Sequence, residues 1–229
     1  MSFRLLTKTL LISLILISIN LPKSTNLDLR FRKVDDNLPK NFNKVFSTFN
    51  NYNNDNDTSL AIIFCKVTEF YKLDTNELIF DWLLGQVLLE SGAQQYRRNG
   101  DLVISCTGAV GFAQILRSTS IGYLRKTITK NDSIIFKKMG VTDYSFVNNA
   151  KYRKSEKWGK AKTWLSNKVN NITLWGKIMS NELKYRNITK ALVSYNIGPS
   201  QLKYYLGAGN NIMSHHYIVG IKKRMSYVK

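Results

Sequence analysis

A chain of 229 residues is long enough to form one domain with a full hydrophobic core. Its 44% hydrophobic and 21% charged residues are ordinary for a globular protein and exclude a chain that is disordered throughout. The formal net charge of +19 indicates an anionic partner, and nucleic acid, anionic lipid and cell-wall polymer all qualify.

The N-terminus has the pattern of an export signal. Arg4 and Lys8 precede an apolar run over residues 10–21, which is too short to cross a bilayer of about 30 Å. We therefore predict a signal peptide over residues 1–23. No small-residue cleavage pattern follows the run, so an uncleaved N-terminal anchor is the alternative. Removing this segment takes away three basic residues and no acids, which leaves a charge of 19 − 3 = +16.

The next segment, residues 24–57, is rich in Asn and Lys and has no sustained period, so it predicts a polar arm or linker. A folded domain is expected over residues 58–229. Its first helix is predicted at 60–71. Asp74 or Thr75 is a candidate N-cap for the second.

That second helix, predicted at 76–91, is apolar nearly all round and should therefore lie in the middle of the fold, with Gly92 as its stop. A loop over 93–110 and a short apolar turn over 111–116 follow. Basic helical segments are expected within 118–169. The remaining predicted helices span 171–185, 188–196, 199–206 and 214–227. The sequence thus predicts an all-α fold.

Glu90 is the most informative side chain, because it follows an apolar segment at the end of the predicted central helix. Burial there disfavours the carboxylate and raises its pKa, and the negative end of the helix dipole acts in the same direction. A carboxyl group that stays protonated near neutral pH can act as a general acid. The alternative is a glutamate that serves a cap or an ion pair.

Segments with recognisable motifs surround Glu90 in a fixed order. They are LLESG at 88–92, GAVGFAQ at 108–114, NI at 171–172, ALVSYNIGP at 191–199 and HYIV at 216–219. Together they resemble the motifs of the lytic transglycosylases of the soluble, SLT-domain type, which are related to goose-type lysozyme. The resemblance covers roughly residues 60–228. It implies a single lysozyme-like helical domain.

The resemblance also implies roles for individual residues. Glu90 would be the catalytic acid/base, and Tyr195 would donate a hydrogen bond that orients it. The residues that would bind or support the substrate are Ser91, Gln114, Asn196, Gly111 and Tyr217. Phe112-Ala113 replaces the family's Leu-Met, so the pocket beside Gln114 should differ in shape. Ser194 and Ile197 likewise replace alanines. No cofactor is implied.

The implied reaction cleaves the β-1,4 bond between N-acetylmuramic acid and N-acetylglucosamine in peptidoglycan and leaves 1,6-anhydro ends. A goose-type lysozyme, which uses water and a second carboxylate, is the first alternative. Asp101 is the only acid between Glu90 and Gln114, although after Gly100 it also suits a solvated turn. A non-enzymatic basic module for wall, membrane or nucleic-acid binding is the second alternative.

The connection over residues 117–169 is longer than in the family and strongly basic, with Trp158 and Trp164 among its lysines. One interpretation is a surface that grips the wall, with cations for peptide carboxylates and tryptophans for sugar rings. The other is a solvated face on helices that pack into the core. The expected substrate is the peptidoglycan glycan strand. A cell-envelope secretion or division complex is a compatible partner, and we expect a periplasmic or envelope-associated monomer that does not bind nucleic acid.

The two cysteines, Cys65 and Cys106, could pair in an oxidising compartment, and two buried free thiols are the alternative. No metal site is expected, because His215 and His216 are adjacent and lack ligand spacing.

Overall fold

The computed structural model describes residues 38–53 and 57–228, and the elements below belong to the compact unit Pro39–Lys229. The helices of the described residues are α1 (Phe42–Asn53), α2 (Thr58–Phe70), α3 (Glu77–Ser91), α4 (Arg117–Lys126), α5 (Lys130–Met139), α6 (Lys154–Ser166), α7 (Lys168–Tyr185), α8 (Ile188–Ile197), α9 (Pro199–Gly207) and α10 (His216–Met225). Short 3-10 helices span Ser145–Val147 and Ile212–Ser214. The all-α prediction is confirmed. The predicted signal at 1–23 lies outside the described residues.

The predicted polar arm over 24–57 is wrong for α1, which packs on the domain. Val45, Thr48 and Phe49 of this helix are buried. The Phe49 ring makes edge contacts with the rings of Phe64 and Phe112, at centroid distances of 5.8 and 5.7 Å. This helix is difficult to predict from the sequence, because its few inward-facing apolar residues alternate with several asparagines. Residues 24–37 and 54–56 of the predicted arm lie outside the described residues.

Aromatic contacts among α2, α3 and α7 form the centre of the core. The Phe64 ring stacks on Trp175 at 5.0 Å and meets Phe80 at 6.0 Å. A Cβ on Gly176 would lie 2.3 Å from a methyl group of Val67, so glycine is needed where α2 and α7 cross. Close packing at this crossing holds α3, which is buried on most sides, in the middle of the fold as predicted.

The ends of α3 are fixed by its capping residues. Its N-cap is Asn76, whose side chain accepts a hydrogen bond from the Ile79 N–H, so the expected cap at Asp74 or Thr75 is wrong. At the other end Gly92 adopts a left-handed conformation with φ 69°, as the predicted stop requires. This stop places Glu90 in the last turn of the helix.

A two-stranded antiparallel hairpin follows the 93–108 loop. Its strands are β1 (Ala109–Val110) and β2 (Ile115–Leu116), and residues 111–114 form the turn that joins them. These strands are the only sheet in the described part of the chain. The turn lies against the C-terminal end of α3 and forms the second part of the candidate site.

Helices α4, α5 and α6 form the basic region predicted over 117–169. A buried ion pair with an N–O distance of 2.7 Å joins Asp132 of α5 to Lys177 of α7. Thr129 and Asp132 also form a reciprocal capping box at the start of α5. These helices are therefore integral parts of the domain core and not an appended segment.

The C-terminal helices return the chain to α3. Pro199 begins α9 as predicted, and α10 packs along α3. A Cβ on Gly85 of α3 would lie 2.9 Å from a methyl group of Ile221, and a Cβ on Gly220 of α10 would lie 3.1 Å from Leu89. Glycines on both helices thus permit a close approach. Across the described residues, no helix has both the length and the apolar character needed to cross a bilayer.

Candidate active site

Glu90 lies in the last turn of α3, where its side chain is half-buried. Burial raises the pKa of this carboxyl group to about 7, although a hydrogen bond from Tyr217 acts to lower it. The group therefore holds a proton near neutral pH and still reaches the solvent. These two properties are what a general acid needs.

Glu90 accepts a hydrogen bond from the hydroxyl group of Tyr217 in α10, a residue that is only 4% exposed. The close approach of α3 and α10 brings this hydroxyl to the carboxylate. Burial and the nearby Glu90 charge raise the pKa of Tyr217 well above its ordinary value. The tyrosine therefore remains a neutral donor, and its bond fixes the orientation of the carboxyl group.

Tyr195 does not have the role expected of it. Its hydroxyl donates to the carbonyl oxygen of Ala113 at 2.6 Å, and the donor to Glu90 is Tyr217. Burial, and then the charge of Glu90, raise the pKa of Tyr195 well above its ordinary value. The expected orienting bond is thus reassigned from α8 to α10, and Tyr195 instead ties α8 to the hairpin turn.

The hairpin turn is held by buried side-chain amides. Gln95 accepts from the Phe112 N–H at 2.8 Å, and Asn171 accepts from the Ala113 N–H at 2.9 Å. Gln95 also donates to the carbonyl oxygens of residues 165 and 166, and Asn171 donates to those of 110 and 165. Since Gln95 and Asn171 are buried, these bonds fix the turn relative to α6 and α7.

Gly111 is buried in this turn, and its expected approach to the glycan stays a prediction. It adopts a φ of 74°, and a Cβ there would lie 2.6 Å from the Gln95 amide and 2.8 Å from that of Asn171. Glycine is needed at this position for the amides to reach the backbone. Sequence reasoning missed Gln95, because a glutamine in a polar loop gives no signal of burial.

Ser91 supports the loop, one of the two roles expected of it. Its hydroxyl donates to the Phe112 carbonyl oxygen at 2.6 Å and accepts from the Gln94 N–H at 3.1 Å. The bond to Phe112 joins the residue after Glu90 directly to the hairpin turn. The acid and the turn are therefore held in one fixed geometry.

Gln114 and Asn196 are the expected sugar-binding residues. The Gln114 side-chain N–H donates to the Gly111 carbonyl oxygen at 2.7 Å, and its backbone has a φ of 49°, which is unusual for a residue with a side chain. Its side chain is half-buried, and that of Asn196, directly after Tyr195, is exposed. Both amides lie on the elements that Tyr195 joins.

Tyr123 of α4 belongs to the same cluster, although no motif indicated it. It is close enough to Tyr195 to contribute to the raised pKa of that residue. The pKa of Tyr123 is itself raised to about 12, by burial and then by Glu182. Tyr217 thus contacts the acid directly, and Tyr123 lies beside Tyr195.

No second carboxylate within the described residues contributes to the raised pKa of Glu90. Asp101 instead closes a surface turn, in which its carboxylate accepts from the Asn99 side chain at 2.8 Å. It also lines a cavity of about 620 Å³ with Arg97, Lys162 and Ser166. Glu90 lies outside that cavity and outside two smaller ones, of about 250 and 370 Å³.

Of the two alternatives for the cysteines, the disulfide does not form, and the buried free thiol holds for Cys65 but not for Cys106. Cys65 is free and buried in α2, whereas Cys106 is free and exposed in the loop before the hairpin. Burial raises the pKa of the Cys65 thiol to about 12, so this group stays protonated. No group of three or more His, Cys, Asp or Glu side chains in the described ranges is arranged to hold a metal ion.

No protein-family profile, curated protein or solved structure matches this chain. The assignment of a function therefore depends on the motifs and on the geometry around Glu90.

Proposed function

We propose that this protein is a peptidoglycan lytic transglycosylase with a lysozyme-like domain and Glu90 as its only catalytic carboxyl group. The observation that carries the proposal is the environment of Glu90. This carboxyl group is half-buried, has a pKa of about 7 and accepts a hydrogen bond from the hydroxyl group of a buried tyrosine. It is joined through Ser91 to a rigid, amide-held turn. The motif order around it supports the same class.

In the first step, protonated Glu90 gives its proton to the oxygen that links N-acetylmuramic acid to N-acetylglucosamine. The bond between that oxygen and the anomeric carbon breaks, and the sugar's own acetamido group stabilises the positive charge that develops. A pKa of about 7 keeps much of the acid protonated near neutral pH. The proton is therefore available without an acidic compartment.

In the second step, the Glu90 carboxylate removes the proton from the C6 hydroxyl of the muramic acid. The freed oxygen attacks the anomeric carbon within the same sugar, which closes a 1,6-anhydro ring and restores protonated Glu90. This route needs one carboxyl group. Asp101, the candidate second carboxylate of a lysozyme, is hydrogen-bonded in a surface turn and lines a cavity that does not include Glu90, which favours the one-carboxyl route over two-carboxylate hydrolysis.

Gln114 and Asn196 are the amides we assign to the sugar hydroxyl and acetamido groups. Asn196 is exposed, and Gln114 is partly accessible at the turn. Tyr195 sets the distance between these two amides. It directly precedes Asn196, and its hydroxyl donates a hydrogen bond to the turn that carries Gln114. Tyr217 is a positioning residue in this scheme because it acts through Glu90.

Mass spectrometry of muropeptides released from purified sacculi tests the proposal. The unchanged protein should release products with 1,6-anhydro ends, and Glu90→Gln should release none. Glu69→Gln is the matched control, since Glu69 is also the penultimate residue of its helix but is exposed. Reducing ends would identify a lysozyme. Equal release by the unchanged protein and Glu90→Gln would refute the role of this acid.

A further inference from the structure

A basic groove lies between α4 and α6, apart from the Glu90 site. It encloses about 370 Å³ and is lined by Ser118, Ile121, Gly122, Arg125, Lys126, Tyr152, Lys154, Lys157 and Trp158. Four of these residues are cationic and none is acidic. A concave surface with one sign of charge concentrates ligands of the opposite sign.

The two aromatic rings of the groove, Tyr152 and Trp158, hold one of its cations, Lys154, and two cations beside it in place. The Lys154 ammonium lies 5.0 Å and the Arg117 guanidinium 5.5 Å from the centre of the Trp158 ring. Lys160 lies 4.5 Å from the centre of the Tyr152 ring. Cation–π contacts of this kind restrict long side chains before a ligand arrives, which lowers the entropic cost of binding.

These contacts argue against the expected stacking of sugar rings on the tryptophans. Trp158 is already covered by two cations, and Trp164 is buried with its N–H donated to the Thr142 carbonyl oxygen at 3.1 Å. Neither ring is a free platform. The groove is therefore suited to negatively charged groups and not to a neutral glycan.

We propose that this groove binds the carboxylates of the peptide stems that the glycan strands carry, an inference that rests on the proposed function. The groove adjoins the hairpin turn along the chain. Helix α4 begins at Arg117, three residues after Gln114 of that turn, and its Ser118, Gly122 and Arg125 line the groove. An extended stem of about four residues spans roughly 13 Å, so a stem on a sugar held at the turn would extend over the neighbouring surface.

Arg125 and Lys126 provide the sharpest test. Both are exposed cations in the last turn of α4. Lys137 and Lys138 occupy the same place in α5, are also exposed and do not line the groove. Exchanging either pair for glutamine removes the same charge from the same kind of helix end. The second pair is therefore a matched control.

The assay measures binding to intact sacculi and to glycan strands from which an amidase has removed the stems. All variants carry Glu90→Gln, so binding does not depend on cleavage. We expect Arg125→Gln/Lys126→Gln to weaken binding to sacculi about tenfold and to leave binding to stripped glycan unchanged. The Lys137→Gln/Lys138→Gln control should bind both as before.

A second variant tests the groove without changing its charge. A Cβ on Gly122 would meet no atom within 4 Å, so Gly122→Leu would project into the groove, and leucine suits a helix better than glycine. It should cause the same selective loss of sacculus binding. Unchanged binding by this variant would show that the groove is not the site.

Equal losses on sacculi and stripped glycan, or equal losses in the α4 and α5 pairs, would overturn the proposal. Loss of duplex DNA binding with sacculus binding intact would instead identify a nucleic-acid site and also overturn it. Stem-dependent binding by a protein that releases no muropeptides would refute the proposed cleavage and support the groove. The two proposals can therefore fail separately.

Discussion

Replacing Glu90 with glutamine should make the protein more stable at alkaline pH. Burial raises the pKa of this carboxyl group from 4.5 to about 7, so the folded state binds its proton more tightly than the unfolded state does. Stability is therefore lost as pH rises from the unfolded pKa to the folded pKa. Glutamine keeps the shape of the protonated acid and does not ionise, so Glu90→Gln escapes this loss.

The expected size follows from the same two pKa values. A difference of 7 − 4.5 corresponds to about 3 kcal/mol, at about 1.36 kcal/mol for each pH unit. Between about pH 4 and about pH 8, the stability of Glu90→Gln relative to the unchanged protein should rise by this amount. With a urea m-value of about 2 kcal/mol/M, the gain is a midpoint shift of about 1.5 M.

Urea unfolding followed by circular dichroism at both pH values measures this difference. Other titrating groups are common to the two proteins and cancel in the comparison. Glu69→Gln is again the control, since its side chain is exposed. A difference between Glu90→Gln and the unchanged protein that stays constant between the two pH values would refute a buried, proton-binding acid. So would a relative gain by the unchanged protein at alkaline pH.

Three further substitutions give separate predictions. Tyr217→Phe removes a hydrogen bond that lowers the pKa of Glu90, so the alkaline limb of the kcat/KM profile on sacculi should move to higher pH and the maximal rate should fall about tenfold. Lys177→Met leaves Asp132 buried without its cation, so urea unfolding should show a loss of about 3–5 kcal/mol. Gly85→Ala forces α3 and α10 apart, so we expect a loss of about 1–3 kcal/mol together with a lower kcat.

Each of these has an outcome that contradicts it. An unmoved alkaline limb in Tyr217→Phe would mean that this hydroxyl does not act through the acid. Adding Asp132→Asn to Lys177→Met should recover part of the lost stability, and no recovery would exclude an uncompensated charge as the cause. Full activity in Gly85→Ala would show that the close approach of α3 and α10 is unnecessary.

Much of the fold is predictable because the long helices have strong local signals. The central helix is predicted at 76–91 and observed at Glu77–Ser91, since its apolar composition and Gly92 mark it clearly. By contrast, α7 begins at Lys168, earlier than the predicted 171. Its start looks like a polar loop, but Asn167 caps it and Asn170 is buried with its amide hydrogen-bonded. Sequence alone does not distinguish a buried asparagine from an exposed one.

The acid of the candidate site can be predicted from the sequence, whereas the residues that contact it are harder to predict. Glu90 stands out because a carboxyl group at the end of a buried helix is unusual. Which tyrosine donates to it depends on the packing of α8 and α10 against α3, and this packing directs Tyr217 to Glu90 and Tyr195 to Ala113. The environment of Phe112 is likewise visible only in three dimensions, since this ring contacts Phe49 of the unexpected α1.

The close approach of α3 and α10 at their glycines makes the raised pKa of Glu90 depend on a distant part of the chain. Tyr217 is 127 residues from Glu90, and its helix must dock before the carboxyl group is enclosed. If α10 separates from α3, water reaches Glu90, its pKa returns toward the ordinary range and the group ionises at neutral pH. A molecule with most of its helices intact but α10 undocked would keep the glutamate and lose the proton that it holds at neutral pH.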